Sequence, residues 1–136
     1  MKTFKLIVGF SILLGTAALF KSCHSGPYEL TTFLIKVDSI RIPSVITSNL
    51  PFDIEFYGTI GTNGCYDFLD FFQTSYNNEI TIEAWGTLDS NANVCPTVMV
   101  YLDGRKKSVT IPTPGSYVIR IKQPRSIDIQ KPIIVN

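Results

Sequence analysis

Two hydrophobic patterns divide the chain. Residues 6–20 are apolar almost without interruption, broken only by small or hydroxyl side chains. Beyond residue 30 the apolar positions recur with period two, the repeat of a half-buried strand. The clearest case is Phe52-Asp53-Ile54-Glu55-Phe56-Tyr57, where Phe52, Ile54 and Phe56 point one way and Asp53 and Glu55 the other. Residues 79–88 repeat the pattern, with Ile80, Ile82 and Ala84 inward and Thr81, Glu83 and Trp85 on the opposite face. Residues 116–123 set Tyr117, Ile119 and Ile121 against Val118, Arg120 and Lys122.

Other stretches are less regular. Residues 32–42 put Leu34, Ile40 and Ile42 on one parity and Ile35 and Val37 on the other, which predicts a strand with a bulge or a change of sheet. Pro43 ends it, having no amide hydrogen for a ladder. Residues 65–76 are apolar on both parities. Their aromatic content favours an irregular strand, with a short helix stacking Phe68 over Phe72 as the alternative. Further strands are predicted at 97–102, 107–111 and 126–135, the last at a sheet edge because of Pro132. Between them fall turn signals at Asn49-Leu50-Pro51, the glycine-rich loop 58–64, Asn77-Asn78, the polar loop 89–94, Asp103-Gly104 as a hairpin, and Pro112 to Gly115.

Strands at this spacing predict one all-β domain over residues 31–136, an antiparallel β-sandwich. Gly64-Cys65-Tyr66, a second cysteine thirty residues on at Cys95, and the late Gly115-Ser116-Tyr117 carry a resemblance. The domain resembles the immunoglobulin-like sandwiches of exported bacterial proteins, which implies about seven to eight strands. It departs from true immunoglobulin domains, whose inter-sheet cysteines lie further apart around a buried tryptophan.

The leader has its own logic. Lys2 and Lys5 precede the apolar run, and Lys21-Ser22-Cys23 follows it. A basic start, an apolar stretch and a small residue before the cut are the parts of a secretory signal peptide. The run is shorter than the roughly 20 residues of a spanning helix. At Leu19-Phe20-Lys21-Ser22-Cys23 it resembles a bacterial lipoprotein signal of the Bacteroides type, with Lys21 a departure from the usual box. The resemblance implies a signal peptide over 1–22, lipidation of Cys23, a short tether over 23–30, and a cell-envelope protein anchored in a membrane, the outer one in such bacteria. If Cys23 carries lipid, Cys65 and Cys95 remain as one pair, and the oxidising destination implies a disulfide between them.

Charge narrows the function. The leader holds three of the twelve basic residues and none of the eleven acids, so the remainder has nine against eleven, a net of −2. That balance does not suit nucleic acid. Nine acids lie in 24–102 against Lys36 and Arg41, and seven bases in 103–136 against Asp103 and Asp128. Either strands of the two halves lie side by side with complementary charges, or the late bases form a patch for an anionic partner.

Candidate chemistry is sparse. The single histidine, His24, stands beside Cys23, so the usual nucleophile–base arrangements lack their base. Asp53 with Glu55, and Asp67 with Asp70, are the nearest carboxylate pairs. Asp89-x-Asn91-x-Asn93 opens like a calcium loop, but Val94 and Val100 stand where glycine and glutamate are needed. No phosphate-binding glycine motif precedes a helix. The expectation is a non-catalytic protein with no metal or cofactor, docking another envelope component. The alternative is a glycan-binding or adhesion module using Trp85, Tyr57, Tyr66 and Tyr101. A further possibility is a protease inhibitor presenting loop 89–94.

Overall fold

A computed structural model describes residues 30–136. The signal peptide over 1–22, the lipidation site Cys23, His24 and the tether up to residue 29 lie outside the described residues. The rest is all-β, with ten strands: β1 Leu30–Leu34, β2 Ser39–Arg41, β3 Pro51–Tyr57, β4 Thr59–Gly61, β5 Tyr66–Tyr76, β6 Glu79–Asp89, β7 Val100–Tyr101, β8 Arg105–Thr110, β9 Gly115–Ile121 and β10 Ile129–Val135. They form sheets of five (β1, β5, β6, β9, β10), three (β2-β3-β8) and two strands (β4-β7).

The period-two pattern sorts side chains as expected. Phe52, Ile54 and Phe56 of β3 and Ile80, Ile82 and Ala84 of β6 are buried. They share one apolar cluster with Phe71, Val109, Ile119, Ile121, Ile133 and Val135. The Phe56 and Phe71 rings, 4.4 Å apart between centroids, join the three-stranded sheet to the five-stranded one.

The double parity of residues 65–76 has a simple cause. The region is a strand, not a helix, and its register with β6 slips between Phe68 and Asp70, leaving Leu69 as an extra residue. A bulge shifts the alternation by one. Tyr66 and Phe68 before it and Phe71 after it therefore all face the core. Tyr66 packs so closely over Gly61 that a Cβ there would land in its ring.

Three expectations need correction. The sheet is mixed rather than antiparallel throughout, because β9 runs parallel to β6 over Glu79–Ile82. No tight turn links these strands, so no hairpin dictates their direction. Strands number ten rather than eight: the predicted 32–42 strand changes sheet and becomes β1 and β2, and loop 58–64 contains β4. Asp103-Gly104 turns with φ of 45° and 74°, yet it makes no hairpin. β7 pairs with β4 and β8 with β3. Pairing continues across the turn, since Leu102 N–H donates to Gly58 O at 2.9 Å and Gly104 N–H to Phe56 O at 3.0 Å. The dipeptide is a kink inside one long ribbon. The prediction for Pro132 agrees with the structure: among the described residues β10 is at an edge, covered only by a one-residue bridge from Ile46 to Val135.

One edge of β6 is shared. β1 pairs antiparallel with its last five residues and β9 parallel with its first four. Where the two meet, the chain after β1 crosses to the other sheet: Ile35 N–H still donates to Ala84 O, but Asp38 N–H donates to Tyr57 O. Val37 lies between the sheets. Its N–H donates to Gln123 Oε1 at 3.2 Å, and its carbonyl accepts from Gln123 Nε2 at 3.1 Å. Gln123 is the one polar residue in the buried set. Its amide substitutes for a strand neighbour.

The Cys65–Cys95 disulfide forms, with a Cα–Cα distance of 5.2 Å. It ties the chain just before β5 to the loop after β6, closing the base of the β5–β6 hairpin. Asp89 N–H to Cys65 O and Gly64 N–H to Pro96 O support the same junction.

Gln123→Leu keeps the volume but leaves both Val37 groups buried and unpaired. It should cost about 2–4 kcal/mol, read from urea unfolding. Replacing both Cys65 and Cys95 by serine should cost about 3–4 kcal/mol in the chain-entropy description. In the same assay, a loss below 1 kcal/mol would show that the hydrogen bonds at the hairpin base suffice alone.

Candidate binding face

Odd-numbered residues of β6 point away from the core, onto the outer face of the five-stranded sheet. There Trp85 meets Phe72 of β5, edge to face, with ring centroids 6.5 Å apart. The bulge residue Leu69 and Thr32 of β1 complete a shallow depression of about 390 Å³, with Glu83 at its wall. Phe72 is 53% and Leu69 46% exposed. Trp85 Nε1 donates to Glu83 Oε2 at 2.8 Å, which fixes the indole and leaves the other carboxylate oxygen as an acceptor.

Farther along this face lies a charged network. Arg120 of β9 makes a fork to Glu79 of β6, Nε to Oε1 at 2.8 Å and Nη2 to Oε2 at 2.7 Å. Asp128 lies within 3.6 Å of Arg120 and 3.4 Å of Lys122, and accepts from Gln123 N–H. The Arg120 bonds hold the Glu79 carboxyl below its ordinary range. The Gln123 amide, then Lys122 and Arg120, hold Asp128 down. Arg120 is correspondingly raised, first by its bond to Glu79. On the other sheet Lys106 of β8 lies 3.6 Å from Asp53 and 3.8 Å from Glu55 of β3. Strands of the acidic and basic halves thus sit side by side, the first of the two arrangements expected.

The four aromatic candidates do not converge. Tyr57 is on the outer face of the three-stranded sheet, its hydroxyl donating to Glu55 at 2.9 Å, with Arg41 5.8 Å from its ring centre. The bond to Glu55 raises the Tyr57 pKa. Tyr66 stands edge-on to Phe33 against the core. Tyr101 is exposed on β7, its hydroxyl 3.2 Å from the Met99 sulfur. Only Trp85 belongs to the depression. Phe72 and Leu69 join it unforeseen, because their shared face depends on the bulge. The signal for Leu69 was the double parity of residues 65–76.

The carboxylate pairs have structural tasks. Asp67 and Asp70 accept from the next residue's amide, Phe68 N–H and Phe71 N–H, at 2.7 Å each. Asp89 Oδ1 accepts from Asn91 N–H, an ordinary turn bond. Among the described residues no grouping of three or more His, Cys, Asp or Glu could hold a metal ion, and no helix is long and apolar enough to cross a membrane. A larger groove of about 1010 Å³ runs beside β9 and β10. Its one aromatic, Tyr117, has its hydroxyl held by Thr113. The Trp85 depression is where aromatic surface and a free acceptor coincide, an arrangement that can stack a flat apolar group and accept a hydrogen bond.

No protein-family model, no curated protein and no solved structure matches this chain.

Glu79 and Asp128 have folded pKa values below their unfolded ones. Their stabilisation is therefore full above the ordinary carboxylate range and is lost as pH falls through and below about 4. Thermal unfolding between pH 7 and pH 2 should show an acid limb. Arg120→Met should remove the share that comes from Glu79 and keep most of that from Asp128, while leaving the curve near neutral pH lower than that of the native chain.

Proposed function

We propose that this chain is a non-catalytic cell-envelope lipoprotein that docks another envelope protein through the outer face of its five-stranded sheet. One observation carries the docking reading: half-buried Trp85 grouped with exposed Phe72 and Leu69 beside Glu83. Exposed aromatic clusters rimmed by polar groups mark interaction sites, and tryptophan is favoured at their centres. The anchor rests on the leader, with its basic start, short apolar run and Ser22-Cys23. We read the domain as an immunoglobulin-like sandwich, from the two sheets that share one cluster and the Cys65–Cys95 pair. We read it as having no nucleic-acid partner, from the acid excess outside the leader.

A glycan-binding role is the second reading. The bond from Trp85 to Glu83 favours it, because it holds an indole in place beside an acceptor for sugar hydroxyls.

Two experiments test these readings. The mass of the protein from its native membranes should match a chain beginning at Cys23 with added acyl groups. An unmodified chain starting at Met1 would overturn the anchor. Crosslinking in intact cells should recover one reproducible protein partner with the native chain, and Phe72→Ala with Trp85→Ala should reduce that recovery by about tenfold or more. Unchanged recovery would remove this face from the docking role. A shift in Trp85 fluorescence on titration with glycans, without a protein partner, would favour the second reading.

A further inference from the structure

β5 forms one edge of the five-stranded sheet, and among the described residues it pairs only with β6. Edge strands of this length are templates for further pairing unless something blocks them. The first half of β5 is blocked. Ala84 and Ile82 direct their carbonyls to the far side of β6, toward Ile35 and Lys122. Their partners Phe71 and Gln73 therefore turn their own amide and carbonyl groups outward, as do Phe68 and Ser75 by the same alternation. Of these outward groups, Phe68 N–H and Phe71 N–H are capped by Asp67 and Asp70, and Phe71 O accepts from Lys107 Nζ at 3.5 Å. The bulge at Leu69 distorts the same half. The opposite edge, β10, carries Lys131 and Pro132.

The second half of β5 has none of these devices. Phe72-Gln73-Thr74-Ser75-Tyr76 is exposed throughout and holds no charge, proline or glycine. The outward groups of Gln73 and Ser75 have no partner among the described residues.

We propose that this half of β5 pairs antiparallel with the same half of a second copy, about a two-fold axis through Thr74. The register follows from what is open. Gln73 of one copy faces Ser75 of the other, and the reciprocal pair repeats it, so all four open amides and carbonyls of each pair are used. A centre at Gln73 would set Ser75 against Phe71, whose groups are already occupied. A centre at Ser75 would set Gln73 against Asn77, whose φ of 53° is not extended. With the axis at Thr74, Phe72 faces Tyr76 of the other copy and Thr74 faces its own counterpart. Aromatic and Thr–Thr pairs at such positions are favourable, and no like charges meet. Isologous contacts of this kind close as dimers. The joined sheet keeps both Trp85 depressions on one face.

The test uses the full chain. Sedimentation equilibrium in density-matched detergent should show a monomer–dimer equilibrium. Thr74→Lys sets two ammonium groups against each other at the axis and should weaken the dimer by about tenfold or more. Thr110→Lys, on exposed β8, should not. Thr74 does not line the Trp85 depression, so its replacement separates loss of pairing from loss of docking. Facing residues in a non-hydrogen-bonded pair have Cα atoms about 4.5 Å apart, within disulfide reach. Thr74→Cys in oxidised cell envelopes should therefore yield a reducible dimer of this chain that the native sequence does not yield. A monomer at every concentration, or Thr74→Cys joined to a different polypeptide, would overturn the proposal.

Discussion

The fold depends on how one backbone residue is satisfied between two sheets. Val37 lies where the chain leaves the edge of β6 and joins β3, and neither sheet offers its peptide groups a ladder partner. A buried amide and carbonyl left bare would cost about as much as several good contacts return. Gln123 solves this with one side chain, because its amide carries a donor and an acceptor spaced like those of a peptide. Gln123 lies just past the end of β9 at Ile121, so the bond also ties the end of the parallel strand to the crossing. Asp128 accepts from the backbone N–H of the same residue and gathers Arg120 and Lys122 on the outer face. A crossing between sheets and a surface charge network thus meet at one residue, through its side chain and its backbone respectively.

The open side of the two sheets is closed differently. β8 lies beside β5 without pairing to it. Arg105 sits over the Phe68 ring at 4.6 Å, and Lys107 reaches the Phe71 carbonyl. Both cations come from the edge of the smaller sheet and take a π-face and a carbonyl of the larger one. At the same end the disulfide joins the loops flanking the β5–β6 hairpin. These links act on the half of β5 that the bulge distorts, where ladder hydrogen bonds alone would hold it least well.

Much of this was legible in the sequence, and the failures share a cause. Alternation located β3, β6 and β9 and their buried faces, because each strand keeps one face in the core along its length. Asn77 turned with positive φ, as its side chain allows. Alternation says which face of a strand is buried, but not which sheet the strand joins. Tyr57 and Trp85 both occupy outward positions, yet they lie on the outer faces of different sheets. For the same reason Asp103-Gly104 looked like a hairpin: its backbone preference was read correctly, but its flanking strands are claimed by β3 and β4. The parallel pairing of β6 and β9 has no local signal at all, since it is decided by contacts distant in sequence.

The bulge at Leu69 links the filling of the core to the outer face of the sheet. By shifting the alternation by one, it lets Tyr66, Phe68 and Phe71 all face inward, so a segment apolar on both parities gains more core contact than a regular strand allows. The cost is an unpaired residue and a disturbed edge, and Leu69 is turned out beside Trp85. The apolar depression on the outer face is therefore a consequence of how the core was filled. Glu83 adds a polar element to it: its carboxylate holds the indole at 2.8 Å and keeps an oxygen available. Core packing placed the apolar wall, and the Trp85–Glu83 bond gave that wall a defined orientation.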